Sequence, residues 1–229
     1  MHDGAKEMKR ALAVCLSLIA SQAVSVEERI APLRPLPAGA VNPLPPDTKI
    51  LSQKAANAFG QGRWAEAREA YREMLSLDPD NALIWANLGA VEQQAKSTQT
   101  AIECFERSVQ INPTLATSWS ALGLIHTGRG DHYMAISCLT RAIHEDPLDP
   151  RSHNYLAIAI RQLGWHTAAE SELQRAIELN PSYGIAHFNL ALLYSDQKPP
   201  SLELAKVHYK KALSLGVEKD ELLERRLNE

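Results

Sequence analysis

The chain has 229 residues, 45% of them hydrophobic and 22% charged, with a formal charge of -3. These values suit a soluble folded protein and exclude a general attraction for nucleic acid or an anionic membrane surface. Three cysteines exclude a disulfide framework, so packing must hold the fold together.

In chain order, Lys6, Lys9 and Arg10 precede the apolar stretch ALAVCLSLIA, and the small residues Ser21 and Ala23 follow it. A basic start, a short apolar run and a small-x-small exit predict a secretory signal peptide over residues 1–23, cut after Ala23. Met8 opens a tighter version of the same peptide and is a second candidate start. The apolar run falls short of the roughly 20 residues of a spanning helix, so an uncleaved membrane anchor is the alternative. Cys15 invites a lipoprotein reading, but the large Val14 before it argues against lipidation, and the cysteine leaves with the peptide. Residues 24–47 read as a linker: APLRPLPAGAVNPLPP contains six prolines, which fix φ and remove backbone donors, giving an extended spacer. The alternative for this stretch is a ligand for an aromatic-lined groove.

Beyond the linker the chain repeats itself. Asp78-Pro79, Asn112-Pro113, Asp146-Pro147 and Asn180-Pro181 recur at steps of 34 residues. With each proline at position 32, the repeats are 48–81, 82–115, 116–149 and 150–183, and a fifth spans 184–217. Position 4 reads Leu51, Trp85, Trp119, His153, His187, and position 8 reads Ala55, Gly89, Gly123, Ala157, Ala191. Position 20 reads Ala67, Ala101, Ala135, Ala169, and position 24 reads Tyr71, Phe105, Leu139, Leu173. The 4-7-8-11 spacing predicts one face of a first helix and the 20-24-27 spacing one face of a second. Small residues at positions 8 and 20 allow close backbone approach, and large ones fill the space around it. Gly62, Gly130 and Gly164 at position 15 suit a left-handed turn between the two helices. Proline disfavours helix in the residue before it and is tolerated in a first helical turn, so each Asx-Pro pair is read as a joint between units.

This pattern resembles the tetratricopeptide repeat (TPR), a unit of 34 residues made of two antiparallel helices. The resemblance implies an all-α, right-handed α-solenoid of about five helix pairs over residues 48–217, with its first helices lining a concave groove. Lys54 replaces an expected leucine, as suits a terminal unit. In the fifth repeat SDQKPPSLEL lengthens the turn by two residues, so Ala205, Tyr209 and Ala212 take positions 20, 24 and 27. Residues 218–229, with Leu222, Leu223 and Leu227 spaced for one face, read as a capping helix.

No phosphate loop, His-Glu-x-x-His, Cys-x-x-Cys or nucleophile elbow occurs, so the reading is non-enzymatic, with no cofactor and no metal. His153 and His187 share position 4, but stacked helices lie about 8–10 Å apart and no third ligand is evident, so they are read as packing residues. Cys104 and Cys138 share position 23 and are expected to stay free thiols, since a disulfide needs Cα atoms within about 7 Å.

Function then falls to the groove. The resemblance places positions 2, 5, 9 and 12 of the first helices on the concave side, which makes Leu83, Ala86, Ala90, Ser120, Leu124, Arg151, Asn154, Ile158, Arg161, Ile185, Phe188 and Leu192 the candidate contact residues. From the third repeat this surface turns apolar, which suits an extended or helical peptide; the competing reading packs the same residues against neighbouring helices. The carboxylate clamp of some TPR domains is not supported, because its lysine is missing. The asparagine ladder of others is interrupted by Ala121 and Tyr155. The sequence thus predicts an exported adaptor, periplasmic or in the cell envelope, that binds a protein or peptide. It would bind no nucleic acid and insert in no membrane once the signal is cut. The alternative is a self-associating scaffold of an envelope complex.

Overall fold

A computed structural model describes residues 48–228. The expected signal peptide and linker lie outside the described residues. The chain divides into two compact units at Ser97 and Thr98. In the first unit, α1 (Thr48–Gly60), α2 (Trp64–Leu77) and α3 (Ala82–Gln94) pack in sequence. The second unit runs α4 (Thr98–Ile111), α5 (Ala116–Arg129), α6 (His132–Glu145), α7 (Pro150–Gln162), α8 (His166–Leu179), α9 (Gly184–Asp196), α10 (Leu202–Ser214) and α11 (Glu221–Asn228). Strands are absent among the described residues.

The repeat pattern explains the packing. Ala67, Ala101, Ala135, Ala169 and Ala205 at position 20 are wholly buried. The residues at position 24 (Tyr71, Phe105, Leu139, Leu173 and Tyr209) are buried beside them. Space is tightest at Gly123, where an added Cβ would lie 2.4 Å from Leu139 Cγ. Lys54, by contrast, is exposed, as a terminal repeat requires. In the second unit, first helices of successive pairs touch, α5 with α7 and α7 with α9. The second helices approach one another less closely, so within this unit the first helices lie on the inner side of the curve.

Three details depart from the sequence expectations. Pro79, Pro113, Pro147 and Pro181 sit in the tight turns between helices rather than in a first helical turn. There the preceding side chain closes the turn: Asn112, Asp146 and Asn180 accept hydrogen bonds from the N–H of Thr114, Leu148 and Ser182 at 3.0, 3.2 and 3.0 Å. Proline at N1 occurs instead at Pro150, under the Asp149 cap. Lys96 holds position 15 of the second repeat with φ 61, the left-handed conformation that Gly62, Gly130 and Gly164 adopt at φ 68, 82 and 80. In α11, Leu223 and Leu227 are buried, but Leu222 is exposed. Leu222 precedes Leu223 by one helical step, about 100° away, and so turns to solvent.

Candidate interaction surface

Position 4 is a latch between repeats. Trp85 Nε1 donates to the carbonyl of Pro79, and Trp119 Nε1 to that of Pro113, both at 2.8 Å. His153 Nε2 meets the carbonyl of Pro147 at 3.3 Å, and His187 hydrogen-bonds the carbonyl of Pro181. Each indole or imidazole thus ties its first helix to the joint before it. The carbonyl can only accept, so the ring nitrogen carries the proton.

Where tryptophan gives way to histidine, the second ring nitrogen needs a partner, and position 23 supplies it. His153 Nδ1 lies 2.6 Å from Glu172 Oε2. With Nε2 donating to Pro147, the ionised carboxylate favours a second proton on Nδ1. The hydrogen bond to Glu172 accordingly holds the His153 pKa above the usual histidine range, against the opposing effect of burial. His187 finds His208 instead, Nδ1 to Nδ1 at 3.0 Å. In the two tryptophan repeats, position 23 holds Cys104 and Cys138, both buried free thiols. Burial and the charge of Glu106 push the Cys138 thiol up to about 11, so it stays protonated and unreactive at neutral pH. Among the described residues no group of three or more His, Cys, Asp or Glu is placed to hold a metal ion.

The expected contact residues divide by exposure. In the first unit, Leu83 and Ala90 on α3 are half-buried and Ala86 is buried. In the second, Leu124 on α5, Arg151 on α7, and Ile185 and Leu192 on α9 are half-buried. Asn154 is 0% exposed, Phe188 2% and Ile158 5%. These three are core, not surface, because successive first helices close over position 5 and over the middle of α7. Ser120 is also buried and receives a hydrogen bond from Ser152 Oγ at 3.2 Å. Asn154 accepts one from Asn189 Nδ2 at 2.8 Å. The middle of the inner face is therefore a buried polar seam that joins α5 to α7 and α7 to α9.

The two arginines on this face are engaged. Arg151 Nε pairs with Asp149 at 2.8 Å, and Arg161 Nη1 with Asp196 at 3.0 Å. Asp196 also meets Arg226 of α11 at 2.5 Å, so two guanidiniums converge on one carboxylate and tie α7, α9 and α11 together. Sequence reading missed Tyr155, which is half-buried at position 6 of α7. Its neighbours at that position, Ala121 and Asn189, gave no periodic signal. It also missed Asp196, whose role depends on two arginines distant in sequence.

Three family models match the chain. One described as TPR repeat matches residues 59–96. Two described as tetratricopeptide repeat match residues 82–115 and 120–183. These segments are tetratricopeptide repeats. Solved TPR-like structures share the fold. A crystal structure of MamA protein aligns at TM-score 0.61 with 25% identity, covering 73% of this chain and 91% of that one. Pseudomonas aeruginosa PilF aligns at 0.70 with 20% identity, covering 79% and 82%. PilW, described as a widely conserved type IV pilus biogenesis factor, aligns at 0.71 with 20% identity, covering 80% and 87%. No curated protein sequence matches the chain. No described helix of the chain is long and apolar enough to cross a membrane.

Proposed function

We propose that the chain is an exported TPR adaptor that binds a protein segment on the inner face of its second unit. The observation that carries this reading is the set of half-buried residues Leu124, Tyr155, Ile185 and Leu192, presented by first helices of three consecutive repeats. They offer apolar contact that folding has not fully used, on helices that lie side by side. A segment crossing α5, α7 and α9 would meet them in turn. Arg151 borders the same surface and orients a polar partner, while Asn154, Ile158 and Phe188 support it from below. Export rests on the basic, apolar and small-residue sequence of residues 1–23. The description of PilW as a pilus biogenesis factor agrees with work in an exported assembly.

The test is affinity capture from the cell envelope with the full chain and with a Leu124→Glu, Leu192→Glu variant. Ile158 is left intact because it is core. Unchanged helical circular dichroism qualifies the variant. A partner held by the native chain and lost from the variant supports the adaptor; identical partners for both would overturn it. A scaffold reading draws on a different observation. Tyr133, Met134 and Trp165 are 73%, 53% and 50% exposed at the starts of α6 and α8. A concentration-independent dimer mass in light scattering, lost in a Tyr133→Ser, Trp165→Ser variant, would favour the scaffold.

A further inference from the structure

We propose that the last helix pair is an acid-sensitive latch, in which the His187–His208 contact holds α10 on α9 while both rings are neutral and releases it when they gain protons. His187 uses one ring N–H on the Pro181 carbonyl. Its Nδ1 faces His208 Nδ1 at 3.0 Å, so one of the two nitrogens must lack a proton. With the His187 proton on Nε2, its Nδ1 accepts and His208 donates. The rings stack with centroids 5.3 Å apart and an interplanar angle of 26°. A proton taken up at His208 Nε2 leaves this hydrogen bond in place. One at His187 Nδ1 removes the only acceptor between the rings and, once both rings are charged, sets two cationic donors against each other.

The surroundings do not relieve this conflict. From α10, Lys211 opposes a charge on His187. From α9, Tyr194 lies with its ring 5.8 Å from that of His208. Burial and then Glu170 push the Tyr194 phenol up to about 12, so it remains neutral. From α8, Glu170 is the one group that favours a proton on His208, but it already accepts from Tyr194 Oη at 2.7 Å. Burial leads the balance, and both histidines lie below the ordinary histidine value. The unfolded chain therefore binds more protons than the folded one as pH falls. Stability is full above about 6.5 and declines as pH falls toward the folded values.

The chain contains its own control. At the same two repeat positions one unit earlier, His153 faces Glu172 and responds with the opposite sign. Its contribution is full below about 6.5 and is lost as pH rises through its raised value. Acid therefore loosens the last pair while it tightens the one before. Because α9 carries Ile185 and Leu192, the latch adjoins the proposed binding surface, yet its test requires no partner.

Amide hydrogen exchange of the full chain at about pH 7.5 and about pH 5.5, corrected for intrinsic rates, measures opening on both sides of the histidine range. The expected result is faster opening of α10 in acid, by up to about tenfold for each histidine, since pH 5.5 lies about one unit below the unfolded value. His208→Glu rebuilds the His153–Glu172 arrangement and should reverse the sign, with α10 better protected in acid. His208→Asn keeps a donor to His187 Nδ1 without ionising and should cut the response to the part that His187 alone contributes, which serves if the glutamate variant misfolds. Equal opening at both pH values in the native chain, or a His208 NMR titration at or above the unfolded value, overturns the latch. Protection of α10 by added zinc at about pH 7.5, reversed by EDTA, would also overturn it by making the pair a metal site.

Discussion

Removing either partner of the Arg68–Glu92 pair should give very unequal losses. Glu92 on α3 has only 3% of its side chain exposed, against 26% for Arg68 on α2. Its carboxylate accepts from Arg68 Nε at 2.5 Å and from Nη2 at 2.7 Å. In Arg68→Leu the carboxylate stays buried without its fork. Breaking a fully buried pair in this way costs about 3–5 kcal/mol. Ser97 and Arg72 still favour the Glu92 charge, so about 3 kcal/mol is expected. In Glu92→Leu the guanidinium can turn to water, and leucine fills a dry site, for a loss of about 1 kcal/mol or less. The double leucine variant should lie close to Glu92→Leu, since apolar replacement of a buried pair is often near neutral. Hydrogen exchange of α2 and α3 amides is the suitable assay, because repeat arrays open locally. Acid adds a second check. The Arg68 hydrogen bond holds the Glu92 carboxyl below the ordinary range, so its contribution is present above the ordinary carboxylate value and is lost as pH falls through the folded one. The gap between native and Arg68→Leu should therefore narrow in acid. A Glu92→Leu loss equal to or larger than that of Arg68→Leu would refute the reasoning.

Two further substitutions probe the turns and the helix contacts. Lys96→Gly should stabilise the first unit by about 0.5–1 kcal/mol in urea unfolding, since glycine adopts the left-handed φ without Cβ strain; a loss would mean that the lysine side chain contributes more than the strain removes. Gly123→Ala should destabilise the second unit by about 1 kcal/mol, because crowding against the buried Leu139 outweighs the gain in helix propensity. In a Leu139→Ala background the same change should become stabilising by a similar amount, and a calorimetric cycle that shows no change of sign would place the crowding elsewhere.

The periodic features of this protein were legible from the sequence by itself. The 34-residue step, the small residues at positions 8 and 20 and the glycines at position 15 are local, repeated choices, and each copy confirms the others' phase. They determine two helices, a turn and a joint in every unit, and hence the stacked all-α fold. The candidate surface was less legible, because exposure is not a property of one repeat. Asn154, Phe188 and Ile158 occupy positions expected to face a groove, yet neighbouring first helices cover them. Leu124 and Leu192 at the same position 9 as Ile158 stay partly open. The pairings Arg68–Glu92, Arg161–Asp196–Arg226 and His187–His208 join residues from different helices, and no spacing rule announces them. Only the packing of one helix on the next decided which polar groups found partners, because burial makes an unpartnered polar group expensive and each site met that demand with different neighbours.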